Sequence, residues 1–242
     1  MSSNSRAALI MPLSIRSLTH IYGAGSQQEP ALNNVSFEIS NRELTAIVGP
    51  SGCGKSTLLS LVAGLRSIQS GSIQLNGVEL KGCTALQLHR HRQQIGIIFQ
   101  SPKLMPFLNT AENVLIGAEV STTLSVSNRL AKIESLLMSV GMIGHSHKFP
   151  RQLSGGQCQR VSVARAIAND PMIIIADEPT ASLDFKSTKA LVSLLLDIIK
   201  LRDIPLLMAT HDSRIIEMAD RVIQIDDGRV VSQMQPSATN DP

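Results

Sequence analysis

Apolar and polar positions alternate along some stretches of this chain and run together in others, and that contrast predicts its elements. Residues 13–18 and 34–39 alternate as strands with one buried face do, and 72–75 adds a third candidate. Residues 44–48, 95–99, 172–176 and 205–210 are continuous apolar runs, the pattern of strands covered on both faces. Helices are predicted over 55–65, 127–140, 156–169 and 187–201. Residues 222–225 and 230–232, joined by Asp226, Asp227 and Gly228, predict a closing hairpin. Strands alternating with helices point to an α/β fold. Residues 101–152 depart from that alternation. They are mostly helical in pattern, with Pro102, Pro106 and Gly141 in loops, and predict an inserted helical subdomain.

Composition narrows the class. A chain of 242 residues fits one large α/β domain, and an apolar share of 43% excludes intrinsic disorder. With no Trp, one Tyr and five Phe, aliphatic side chains must build the core. A row of base-stacking rings is also lacking, so no nucleic-acid partner is expected. The net charge of +3 is mild, and the densest basic run, residues 89–92, reads as a solvated helix face or turn. Cys53, Cys83 and Cys158 are too far apart for a zinc motif or a disulfide framework and suit a reducing compartment. The first residues lack the apolar core of a signal peptide. The best apolar stretch, 190–201, is short and carries Asp197 and Lys200, so no membrane-spanning helix is predicted. Residues 1–10 and 235–242 read as disordered tails around one domain over 11–235.

The strongest chemical signal is Gly49, Pro50, Ser51, Gly52, Cys53, Gly54, Lys55, Ser56 and Thr57, which matches G-x-x-x-x-G-K-[ST] between a buried strand and a helix. Glycines permit the backbone angles that turn successive N–H groups toward an anion, and the helix start adds partial positive charge. Lys55 can reach the β- and γ-phosphates of a nucleotide, and the Ser56 hydroxyl can ligate Mg²⁺. Cys53 reads as a small residue at a tolerant position, with a thiol close to any bound phosphate.

The run 173–176 ends in Asp177 and Glu178. Ligands of open α/β sheets bind at the carboxyl ends of strands, so Asp177 can face the metal shell and Glu178 can polarise an attacking water. Such a pair elsewhere would be a helix cap or a turn. The other buried runs end in Gln100 and His211. Gln100 could ligate metal or water, and His211 could contact a γ-phosphate or orient Glu178. Ser154, Gly155, Gly156 and Gln157 follow Leu153 and open a helix. They form either a simple cap or a second anion site.

The phosphate loop, Gln100, Leu153–Gln157, Asp177 with Glu178, the segment 181–184 and His211 stand in the order and spacing of ABC-type ATPases, and the chain resembles that family over residues 13–234. The resemblance implies a P-loop core of mostly parallel sheet flanked by helices, an N-terminal antiparallel β subdomain, and a helical insert over 101–165 that bears the signature motif. It also implies ATP and Mg²⁺ as cofactors, and head-to-tail pairing with a second copy. Ser154 and Gly156 would then meet the partner copy's γ-phosphate, and Asp184 would lie in the loop coupling the two sites. Gln100 would link nucleotide to a membrane partner, and Tyr22 matches the aromatic that stacks on adenine. Within the family, residues 22–25, 64–71, 98–101, 104–108 and 110–114 are similar to those of the lipoprotein-releasing, macrolide-exporting and heterocyst-glycolipid-exporting ATPases. That branch implies a membrane subunit with a periplasmic adaptor, and a place on the cytoplasmic face of the plasma membrane. A nutrient importer or a soluble, non-transport ATPase of the same family remains the alternative. The loop 104–108 is read either as part of the surface that grips the membrane partner or as buried within the insert.

Overall fold

A computed structural model describes residues 11–23, 28–118 and 126–235. The tail expected over 1–10, residues 236–242 of the tail expected over 235–242, and Ala24 and Gly25 lie outside the described residues. The first strands are β1 (Leu13–Tyr22), β2 (Glu29–Ile39), β3 (Leu44–Val48), β4 (Ser70–Leu75) and β5 (Val78–Glu79). They are followed by β6 (Ile95–Ile98), β7 (Ile173–Asp177), β8 (Leu206–Ala209), β9 (Arg221–Asp226) and β10 (Arg229–Met234). The helices are α1 (Lys55–Val62), α2 (Ala85–Arg92), α3 (Thr110–Ala118), α4 (Val126–Ser139), α5 (Gly155–Ile167), α6 (Phe185–Arg202) and α7 (Ser213–Met218).

Two sheets form. β2-β1-β4-β5 is antiparallel, and β10-β9-β3-β8-β7-β6 is parallel except at β10. The continuous apolar runs have a direct cause. In β7, Ile174 and Ala176 join an apolar cluster with α3–α7, while Ile173 and Ile175 join another with α1 and the antiparallel sheet. β8 divides the same way, Leu206 and Met208 against Leu207 and Ala209. Both faces are covered, so every position is apolar, and each buried Ile or Leu contributes roughly 1.5–3 kcal/mol.

Between β6 and β7 the described residues are helical apart from turns. α3 and α4 pack on α5, with Val114, Leu136, Leu137, Val140 and Val161 in the shared cluster. The first two expected strands are longer in the structure, because β1 and β2 pair from Leu13↔Ile39 to Tyr22↔Glu29 and carry the end of β1 to Tyr22. The run 89–92 is only half solvated. His91 is buried with its ring nitrogen 3.0 Å from Val62 O, and Arg92 donates to Gly64 O. These two side chains seat α2 on the end of α1. Among the described residues no helix is long and apolar enough to cross a membrane.

Candidate functional site

The loop 49–54 joins β3 to α1 at the carboxyl edge of the parallel sheet. Gly54 is the N-cap of α1 at φ 103°, and Gly49 has φ 150°. A β-carbon on Gly49 would lie 2.0 Å from Ile225 O, and one on Gly54 would lie 2.2 Å from Ala31 O. The loop is therefore wedged against β9 and β2, where no larger residue fits. Lys55 is buried, and its ammonium donates to Gly49 O (2.7 Å) and Pro50 O (2.8 Å). Cys53 is buried beneath the loop with its sulfur 3.8 Å from Lys55 Nζ. In front of the loop lies an open cleft of about 430 Å³. Its walls are Tyr22, Glu29, Pro30, Ala31, Ser51, Gly52, Gly54–Thr57, Asp177 and Glu178.

β7 lies two strands from β3 in the sheet and delivers Asp177 and Glu178 to the same edge. Burial pushes the Asp177 carboxyl above its ordinary value; the Ser56 hydroxyl draws it back, the Glu178 charge raises it further, and Lys55 lowers it. Glu178 is held at φ 45°, a left-handed conformation rare for this residue, and its N–H donates to Ala209 O at 2.9 Å. That backbone turn sets its carboxylate 3.1 Å from His211 Nδ1. Strain of this kind, held by a neighbouring strand, clusters at functional sites.

The other expected residues fall elsewhere. β6 ends at Ile98, so Phe99 and Gln100 leave the sheet, and the exposed Gln100 is not a wall of the cleft. Ser154 caps α5 in a reciprocal box: Gln157 N donates to Ser154 Oγ (3.2 Å) and Ser154 N to Gln157 Oε1 (3.0 Å). Ser154 and Gly155 are exposed, and none of 154–157 walls the cleft. Asp184 caps α6, accepting from Ser187 N (2.9 Å) and Ser187 Oγ (2.8 Å), and these bonds hold its carboxyl below its ordinary value. Tyr22 lines the cleft with its hydroxyl 3.1 Å from Thr57 Oγ1. Among the described residues no three His, Cys, Asp or Glu side chains cluster as a metal cage.

A family profile described as ABC transporter matches residues 32–181 of the chain, from β2 through the phosphate loop to the acids after β7. The chain belongs to the ABC transporter ATPase family. HrtA of Staphylococcus saprophyticus, an ATP-binding protein named for hemin import, is 37% identical over 92% of this chain and 100% of its own length. MetN of Geobacillus kaustophilus, named for methionine import, is 36% identical over 91% of the chain and 65% of itself. MacB of Mannheimia succiniciproducens, a macrolide export ATP-binding/permease protein, is 39% identical over 92% of this chain, which spans 34% of MacB. A dimeric, post-hydrolysis structure of the ATP-binding cassette MJ0796 bound to ADP and Pi superimposes with a TM-score of 0.85 at 31% identity, covering 93% of this chain and 99% of that one. The ABC ATPase described here thus binds and hydrolyses ATP as a transporter subunit.

Several side chains that organise this ABC ATPase carry no motif. Gln159, buried on α5, donates to Phe99 O (3.0 Å), and Arg165 donates to Pro102 O and Lys103 O. α5 therefore grips both sides of Gln100. Asn113, fully buried, holds Met105 N, Met105 O, Leu108 O and Asn109 O, and so shapes the loop 104–108. That loop exposes Met105 and Phe107 and half-buries Leu104, so it is neither wholly surface nor wholly core. A polar residue on the inward face of an apolar helix is the signal that could have found Gln159 and Asn113.

The raised Asp177 carboxyl has a consequence for stability. Its folded value lies above its unfolded one, so the ionised form opposes folding. This cost is absent below the unfolded value and sets in as pH rises through the folded one. Asp177→Asn should therefore melt higher than wild type at neutral pH. Calorimetry of the nucleotide-free protein across pH checks this: the gap should close in acid, and a lower melting point for the variant at neutral pH would contradict it.

Proposed function

We propose that two copies of this chain close head to tail on two ATP molecules and drive a membrane subunit of exporter type. The observation that carries the two-copy reading is the separation of the two anion-binding elements. The phosphate loop and Glu178 wall one cleft, whereas the capped, exposed start of α5 is not part of it. A partner copy bringing its own Ser154 and Gly156 to the γ-phosphate gives that surface a purpose. Asp184, at the head of α6, would then couple the two sites; a β-carbon added at Gly156 would lie 3.4 Å from Ser187 Oγ, in the first turn of that helix.

Within each site Glu178, oriented by His211, positions or deprotonates the water that attacks the γ-phosphate in line. Lys55 and the loop's N–H groups stabilise the transferring charge. Ser56 and Asp177 would hold Mg²⁺, and they fit it: both are hard oxygen donors, and the half-buried Asp177 carboxyl lies beside the Ser56 hydroxyl. When bound, Mg²⁺ supplies charge neutralisation between the β- and γ-phosphates. Gln100, gripped from Gln159 and Arg165, would report the state of the site to the membrane subunit through the loop 104–108 of a helical insert over 101–165. The chain would then sit on the cytoplasmic face of the plasma membrane.

The exporter reading draws support from the MacB relative and from the residues shared with that branch. Import is the second reading, favoured by the names of HrtA and MetN. A pull-down of tagged Glu178→Gln protein from detergent-solubilised native membranes, with and without Mg-ATP, separates them. We expect a membrane subunit with a large extracytoplasmic domain, together with an adaptor. A membrane subunit recovered with a substrate-binding protein would instead establish import, and soluble proteins alone would overturn the transport coupling.

A further inference from the structure

Among the described residues Tyr22 is the only aromatic in the walls of the cleft. A lone ring at the end of a strand is a poor platform unless something fixes it. Here three contacts from two other segments do so. The Tyr22 hydroxyl meets Thr57 Oγ1 on α1 at 3.1 Å. The Arg66 guanidinium lies 5.1 Å from the centre of the Tyr22 ring. Gln69 bonds the preceding residue twice through its side-chain amide: its Oε1 accepts from Ile21 N (2.7 Å), and its Nε2 donates to Ile21 O (2.9 Å). The Gln69 side chain thus acts as one residue of an added strand. It pins the end of β1 where the pairing with β4, last seen at Thr19↔Ser70, has run out. His20 closes the cluster, edge-on to the Tyr22 ring at 4.9 Å.

Arg66 and Gln69 are exposed, and neither is a wall of the cleft. They reach Tyr22 and Ile21 from the segment after α1, so one surface of the ring is engaged by a cation while Tyr22 still lines the cleft. We propose that Arg66 and Gln69 form a clamp that positions Tyr22 as the platform for the nucleotide base, making them positioning residues for base recognition in this ABC ATPase. The proposal rests on the reading that Tyr22 stacks on adenine. A guanidinium over a tyrosine ring is attracted by the ring quadrupole. The Gln69 amide removes the play in the backbone that carries the ring, so less ordering remains to be done when the base arrives.

The test compares a ligand that has a base with one that lacks it. Calorimetric affinities of the full chain for Mg-ATP and for Mg-tripolyphosphate are measured for wild type, Arg66→Met, Arg66→Lys, Gln69→Ala and Tyr22→Ala, and for Arg66→Met combined with Tyr22→Ala. Arg66→Met should weaken ATP binding about three- to tenfold while tripolyphosphate binding is unchanged, and Arg66→Lys should recover part of the loss. Gln69→Ala should act the same way, and Arg66→Met should add nothing once Tyr22 is Ala. A parallel loss for tripolyphosphate would mean that Arg66 serves the phosphates, and would overturn the clamp. So would a full-sized Arg66→Met effect in the Tyr22→Ala background. If Tyr22→Ala lowers ATP affinity selectively but Arg66→Met and Gln69→Ala do not, the clamp falls and the platform stands. If Tyr22→Ala leaves the ratio of the two affinities unchanged, the platform falls and the clamp with it.

Discussion

Glu178→Gln is expected to slow ATP turnover by about 10²–10⁴-fold and to leave ATP affinity within about twofold of wild type, the signature of a lost acid–base group. The geometry explains the split. Glu178 walls the cleft with its carboxylate 3.1 Å from His211 Nδ1, while the glycine-rich loop belongs to a different strand and helix. Glutamine keeps the volume and one oxygen, so the φ 45° turn and the bond to Ala209 O survive. What it loses is the ability to accept a proton. Steady-state turnover and equilibrium nucleotide binding on one preparation decide the matter. Turnover near the wild-type rate would remove Glu178 from the catalytic role.

Lys55→Ala should act at the other step, weakening ATP binding by roughly 10–150-fold, the equivalent of one charged hydrogen bond at about 1.5–3 kcal/mol. The ammonium donates to Gly49 O and Pro50 O, so in this structure it braces the loop from inside. Its removal deletes the cation that the phosphates meet and leaves two carbonyls to be solvated. The loop itself should persist, since Gly49 and Gly54 wedge it against Ile225 and Ala31. Titration with a fluorescent ATP analogue measures the loss, and an unchanged affinity would contradict the phosphate role.

Much of this arrangement was legible because burial and chemistry coincide along the chain. The run 173–176 is apolar at every position because the sheet is covered on both faces, so the acids that follow must lie at a strand end. The phosphate loop was legible for the same reason, lying between a covered strand and a helix. Other elements left weaker traces. α2 has one buried residue, His91, and depends on the Thr84–Gln87 capping box, so its apolar period is almost absent. α7 has six residues behind an Asp212 cap, too few to show a period. The grip of Gln159 on Phe99 spans 60 positions and the clamp of Gln69 on Ile21 spans 48, and both depend on how elements dock rather than on local pattern.

The central claim is that each hydrolytic site is completed by the signature of a second copy, and mixing two inactive variants tests it most directly. Lys55→Ala spoils every phosphate loop in its own dimer, and Ser154→Arg spoils every signature in its own. In a mixed dimer, one site joins an intact loop to an intact signature. Each variant alone should be inactive, and an equal mixture should recover up to roughly a quarter of wild-type turnover, since half the dimers are mixed and each has one working site. A mixture as inactive as its components would contradict the claim.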